Sequence, residues 1–304
     1  MFPKSCSYVQ ADSLEDASEL LREHGDDAVL LAGGQSLIPM MKLRLASPKV
    51  VVDLSHIESE EITLEDDHVR IPALVTHAEA MNHPTVAEHF EIITDAVPQI
   101  ADPQIRNMGT VGGSLAQADP SGDWGPLALA TGGVISTVST SGSRDVPAGE
   151  FFEGPLSTCL ENDEIIESVS LPVPGPNTGG SYLKIKRRQG VYAVVSVGVQ
   201  VTLTDDDKID SAGVVFNSIG PRYFNPSDVE DLLVGEAISD DIVAEASALL
   251  EDEIEAISDI RGSAEFKKNA CESLFERALH IAAQRARGNE VENDPMMNVA
   301  NLEA

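Results

Sequence analysis

The stretch "LLAGGQSLIPMMKLRLASPKVVVDL", residues 30–54, decides how the chain is read. An apolar run ends in two adjacent glycines, Gly33 and Gly34, and a methionine-rich run follows. "DAVLLAGG" predicts a short buried strand that delivers the backbone into the glycines. "SLIPMMKLRLASP" predicts a turn with a short helical or irregular segment, and "KVVVDLSHI" a second strand ending near Asp53. Upstream, "DSLEDASELLREHG" places Leu14, Ala17, Leu20 and Leu21 at helical spacing, with Asp12 or Ser13 as the N-cap and Gly25 as the stop. Residues 1–55 therefore read as a small α/β unit. A glycine pair by itself is also what a tight turn requires, so this stretch alone does not identify a site.

Downstream, "HVRIPALVTHAEAMNHPTVAEHF" predicts a strand and then a helix, and "DEIIESVSLPVP" a strand halted by prolines. Proline and glycine crowd "LPVPGPNTGG", residues 171–180, which reads as a linker. Beyond it, "SYLKIKRR", "YAVVSVGVQVTLT" and "IDSAGVVFNSIG" predict three strands. "PSDVEDLLVG", "SDDIVAEASALLEDEIEAI" and "SAEFKKNACESLFERALHIAAQRAR" predict helices. Strands followed by helices indicate an α+β domain. The expected division is 1–55, 56–172, 178–287 and a polar tail from 288 to 304.

The chain has 51 acidic against 20 basic residues, a net charge of -31. Self-repulsion of that size destabilises a compact state unless salt screens it, so the composition suits a salty cytoplasm. It excludes a nucleic-acid partner, which requires a basic footprint. No apolar run is long enough to span a membrane, and the N-terminus "MFPKSCSYVQADS" lacks the apolar core of a secretory signal. A cytoplasmic location is expected. Cys6, Cys159 and Cys271 are widely spaced and too few to ligate an iron–sulfur cluster, so they read as buried thiols. The seven histidines show no metal spacing and read as surface residues.

The nicotinamide fingerprint G-x-G-x-x-G and the phosphate loop ending in G-K-[ST] are both absent. A second glycine loop is present: "RNMGTVGGSLAQADPSGD" carries Gly109, Gly112 and Gly113 beside Thr110 and Ser114. Successive amides in such turns form anion-binding concavities. Two hydroxyl-flanked loops without lysine suit a diphosphate gripped by dipoles, with no chemistry at phosphorus. A hydrolase would place a metal or cation there.

Together, "AGGQSLIPMMKLRLASPKVVVDL" and "QIRNMGTVGGSLAQADPSGD" resemble the FAD-binding medium subunit of the molybdenum hydroxylases, the family that includes the FAD domain of xanthine dehydrogenase and the medium chain of aerobic carbon monoxide dehydrogenase. The resemblance covers roughly residues 3–287 and looks closer to the carbon monoxide dehydrogenase type. It implies an α+β fold: a two-part FAD-binding domain of the vanillyl-alcohol oxidase-like (PCMH) type and a smaller α+β C-terminal domain with a three-stranded sheet. It further implies that Leu31, Ala32, Gly33, Gly34, Gln35, Ser36 and Leu37 wrap the FAD pyrophosphate, and that Gly109, Thr110, Gly112, Gly113 and Ser114 complete the cradle. Asp123 would lie at the cofactor and Leu160 near the flavin. Lys184, with Lys186 as the alternative, would stand on the flavin side, and Tyr192 beside the isoalloxazine.

By residue type alone, Lys184 and Lys186 share a strand face with Tyr182. Such a cation would raise the potential of a reduced flavin, or the lysines would protect an edge strand against pairing. The family reading makes this chain one part of a relay. Electrons would come from a [2Fe–2S] small subunit, fed by a molybdopterin large subunit, with two heterotrimers pairing. No catalytic residue and no metal ligand is expected in this chain. The rival readings are a stand-alone FAD oxidoreductase of the same fold, against which both loops lack a His or Cys for covalent attachment, and a scaffold without cofactor, against which both glycine loops are intact.

Overall fold

A computed structural model describes residues 2–291; the expected tail lies mostly outside them. The chain forms two compact units. The first gathers Met1–Ala80, Pro103–Ala118 and Val134–Leu171; the second gathers Met81–Asp102, Asp119–Gly133 and the residues from Pro172 onward. Each unit is thus discontinuous in sequence.

The first unit opens with the strand Ser7–Gln10 and the helix Leu14–His24. Of the two candidate caps, Ser13 takes the role: its hydroxyl accepts from the Asp16 amide at 3.1 Å. Glu15 and Asp16 in the first turn, with Arg22 and His24 in the last, complement the helix dipole. Val50–Asp53, buried at every position, is the central strand of a parallel sheet flanked by Ser7–Gln10 and Ala28–Leu31. Burial on both faces explains the unbroken "VVV". A five-stranded sheet follows in the order Thr63–Glu65, His68–Pro72, Ile165–Pro172, Val134–Ser139, Gly142–Pro147. Ala17, Leu21, Val52, Val138 and Ile165 belong to one apolar cluster, so the two sheets share a core.

In the second unit, Thr178–Ile185, Val195–Leu203 and Ile209–Asn217 form an antiparallel sheet in chain order, as the sequence indicates. Ala264–Ala286 packs on it through Cys271, Leu274, Phe275, Ala278, Leu279 and Ala282, an i, i+3, i+4, i+7 stripe. The linker reading is corrected here. The gap is only residues 173–177, because Gly179 and Gly180 lie inside the first strand. A Cβ at Gly179 would overlap the Ala282 carbonyl oxygen and lie 2.8 Å from Arg285 Cβ; one at Gly180 would lie 2.9 Å from Ile92 Cβ. Helices press this strand from both faces, and only glycine admits them.

Two further expectations change. Cys271 is buried, but Cys6 and Cys159 are only partly so. His77 is buried, not on the surface, against the second glycine loop. Among the described residues no helix is long and apolar enough to cross a membrane.

Candidate cofactor site

The first glycine loop leaves the carboxyl end of Ala28–Leu31, where the Leu54 amide donates to the Leu31 carbonyl at 2.9 Å. Ligands of parallel sheets gather outside that edge. Gly34 adopts φ +71, the left-handed region. The chain then enters the helix Leu37–Leu43, the expected short segment. Among the described residues, the amides of Gly33, Gly34, Gln35, Ser36 and Leu37 meet no protein acceptor. Gln35 folds back, donating from Nε2 to the Gly33 carbonyl at 2.8 Å. Five consecutive amide donors on a partly buried loop are free to bond water or an anionic ligand.

Gly33 has a specific reason to be glycine. A Cβ there would overlap the Met108 carbonyl oxygen and lie 2.6 Å from its carbon and 2.8 Å from Gly109 Cα. The bare backbone makes room for the second loop, so two stretches 75 residues apart in sequence touch main chain to main chain.

The second loop is wired differently. Its amides are engaged inside the protein: Gly109 to Ile105 O at 2.7 Å, Val111 to Val75 O and Gly112 to Ala73 O at 2.9 Å, and Ser114 to Thr110 O at 3.0 Å. Gly113 donates to the Thr110 hydroxyl at 3.1 Å, the N-cap of the helix Val111–Gln117. Gly112 is small because a Cβ would overlap that of Ala73 and lie 2.9 Å from Ala73 Cα. The Thr110 amide and the hydroxyl protons of Thr110 and Ser114 remain as donors.

Leu160 is partly buried in the first unit, and both of its flanks are held by one ion pair. Arg144 Nη2 donates to the Cys159 carbonyl at 2.9 Å, and the Glu161 amide donates to Glu164 Oε2 at 2.9 Å. Arg144 and Glu164 meet through two contacts of 2.6 and 2.7 Å. The Arg144 hydrogen bonds, opposed by burial, hold the Glu164 carboxyl down at about 2.

In the second unit, Asp123 and Lys184 find each other. The Lys184 ammonium donates to both Asp123 oxygens, at 2.8 and 3.0 Å, and to the Gln99 carbonyl at 3.4 Å. The Tyr182 hydroxyl donates to Asp123 Oδ1 at 2.6 Å; burial first, then Asp123, pushes its pKa well up. Tyr182, Lys184 and Lys186 do share a face, but all three are buried. The strand is an edge, yet its lysines are not solvent guards, because a carboxylate and the Gln99 chain cover them. Tyr192 is 44% exposed, with the Arg261 guanidinium 5.4 Å from its ring centroid. Burial, then Asp119 and Asp123, raise its phenol above the ordinary value.

Sequence reading did not single out Ala73, His77, Met108 or the Arg144–Glu164 pair. A signal existed for His77: "THAE" is a capping box, and the Thr76 amide reaches Glu79 Oε2 at 2.8 Å while the Glu79 amide reaches the Thr76 hydroxyl at 3.2 Å. That box fixes the helix on which His77 faces Gly109.

Residues 4–174 match the family described as the FAD binding domain in molybdopterin dehydrogenase, and residues 180–282 the CO dehydrogenase flavoprotein C-terminal domain. The chain is 38% identical over 282 residues to the nicotine 6-hydroxylase medium subunit of Paenarthrobacter nicotinovorans, covering 91% of this chain and 97% of that one. It is 34% identical over 288 residues to the carbon monoxide dehydrogenase medium chain of Afipia carboxidovorans, covering 94% and 100%. A solved chain of carbon monoxide dehydrogenase from Hydrogenophaga pseudoflava superposes with a TM-score of 0.91 at 32% identity, covering 94% of this chain and 99% of that one.

Proposed function

Since the chain belongs to the family of FAD-binding medium subunits of the molybdenum hydroxylases, we propose that it receives electrons from a [2Fe–2S] subunit and delivers them to an external acceptor. The observation that carries this reading is the run of five unpartnered amides, Gly33 to Leu37, in a loop without lysine. It fits a dinucleotide's bridging phosphates, which accept hydrogen bonds and need no counter-cation for binding alone.

FAD, when bound, supplies the conversion between one-electron and two-electron transfer. The chain's own residues position it. The amides of Gly33, Gly34, Gln35, Ser36 and Leu37 grip the phosphates. The Thr110 amide and the Thr110 and Ser114 hydroxyls add donors, while the rest of Gly109–Ser114 holds the first loop in shape. The Arg144–Glu164 pair sets the Leu160 segment. Lys184 is half of an ion pair with Asp123 rather than a bare cation.

The full assembly is a dimer of heterotrimers with a molybdopterin subunit, located in the cytoplasm, and the acidic composition reflects a salty interior. The substrate is selected in the large subunit, so relatives with carbon monoxide, glyceraldehyde and nicotine in their names share this type of chain. The chain purified alone is expected to carry one FAD and to oxidise no substrate until its partners are added. Substrate turnover by the isolated chain would overturn the relay.

A further inference from the structure

Tyr192 stands on the connection between the strands Thr178–Ile185 and Val195–Leu203, where no regular element fixes its side chain. The residue is 44% exposed, yet its ring is held at two places. The phenol hydrogen-bonds to the Asp119 carboxylate, and the Arg261 guanidinium lies over the ring. Arg261 is itself braced. Its Nη1 donates to the Ser121 hydroxyl at 3.1 Å, and its carbonyl accepts from Arg187 Nε at 3.0 Å. The Asp259 carboxylate accepts from the Arg261 and Gly262 amides at 2.8 and 3.1 Å, which shapes the turn. Lys267, buried in full, pairs with Asp259 at 3.0 Å and donates to the Ser218 carbonyl at 2.8 Å. A Cβ at Gly262 would lie 3.1 Å from Val194 Cγ1, so the turn presses on the connection that carries the ring. All of these residues belong to the second unit. Fixing a side chain costs rotamer freedom, and this ring recovers little of it through burial. Restraint without burial serves a different end: a surface fixed before its ligand arrives binds it at a lower ordering cost.

We propose that Arg261 is a positioning residue for Tyr192, holding the uncovered face of the ring as a flat stacking surface for the isoalloxazine of FAD. The inference rests on the cofactor reading, in which the family resemblance sets Tyr192 beside the flavin. The brace that runs from Lys267 through Asp259 and Arg261 to the ring is drawn from this chain alone. Arginine suits the task. A planar guanidinium covers an aromatic face and still reaches Ser121 through its N–H groups, whereas an ammonium concentrates its charge and its donors at one point.

Two measurements on the full chain separate the brace from the cofactor. Without FAD, fluorine NMR of the chain labelled with meta-fluorotyrosine reads the ring directly, and Y192F identifies the Tyr192 resonance by its loss. R261A should move that resonance toward its unfolded-chain position while those of Tyr8 and Tyr182 stay in place. An unmoved Tyr192 resonance overturns the proposal. With FAD bound, flavin emission reads the stack, because a stacked tyrosine quenches an excited flavin by electron transfer. Y192L should restore long-lived emission. R261A should restore part of it and weaken FAD binding about two- to five-fold, the worth of one exposed cation–π restraint. R261A/Y192L should match Y192L alone, since a residue that acts through another adds nothing once that other is gone. Additive increases, or a wild-type decay in R261A, overturn the proposal. A wild-type decay in Y192L sinks the placement of the flavin against Tyr192, and the proposal with it, even where the NMR shows the brace to be real.

Discussion

The two glycine loops look alike in sequence and work in opposite ways. In the first, the amides of Gly33 to Leu37 have no acceptor within the described protein. In the second, those of Gly109, Val111, Gly112, Gly113 and Ser114 already have one. One loop presents a run of amides without a protein acceptor among the described residues. The other is a wall that holds the donors in place through the contact between Gly33 and Met108–Gly109. A glycine motif therefore does not by itself identify a phosphate site. What matters is where the amides of the motif go.

Substitutions can break this division of labour. The largest effect is expected at Gly33→Ala, whose methyl would collide with the Met108 carbonyl and displace the donor run. Losing charge-assisted bonds worth about 1.5–3 kcal/mol each should lower FAD affinity at least about 100-fold, read by flavin titration, with far-UV circular dichroism unchanged. Gly112→Ala should act on the wall instead. Overpacking against Ala73 should cost about 1–3 kcal/mol of stability in denaturant unfolding, with the FAD affinity of the folded fraction retained. If Gly112→Ala abolished flavin binding in a fully folded protein, the second loop would be a donor after all.

The Arg144–Glu164 pair extends the comparison to a support that contains no glycine. Glu164→Gln should cost about 2 kcal/mol at neutral pH, since a charged acceptor of several hydrogen bonds is lost. The folded carboxyl lies below its ordinary value of 4.5, at about 2. Its contribution is therefore complete above pH about 4.5 and fades as the pH falls through about 2. The gap between wild type and variant should be flat from neutrality down to that upper value and narrow below it. The smallest effect is expected for Thr110→Ala, which loses the cap on Gly113 and about 1 kcal/mol; Thr110→Ser should restore it.

Local order was readable from sequence where one signal dominated. Ser13 and Gly25 bound the first helix, the apolar run at residues 50–52 announced a buried strand, and the three C-terminal strands appeared in order. The readings that failed depended on distant neighbours. Gly179 and Gly180 look like linker residues because composition cannot show that Ala282 and Ile92 press on them. The pairing of Lys184 with Asp123 was not legible, because nothing local links two residues 61 positions apart. His77 passed for a surface histidine because its neighbour Gly109 is 32 residues away. Sequence reading joined the two loops only through an expected ligand; the contact of one backbone with the other at Gly33 and Met108 was not legible.

The discontinuous second unit has a consequence for biosynthesis. Ile92, Ile93 and Trp124 leave the ribosome long before Ala264–Ala286, although all belong to the same unit. The first unit's residues are complete once Leu171 has emerged, while the segments Met81–Asp102 and Asp119–Gly133 wait for about a hundred more residues to be made. During that interval apolar side chains are exposed on a nascent polypeptide, so a premature stop before the final helix should yield aggregate rather than a usable half-molecule, and demand for chaperones should peak late in translation.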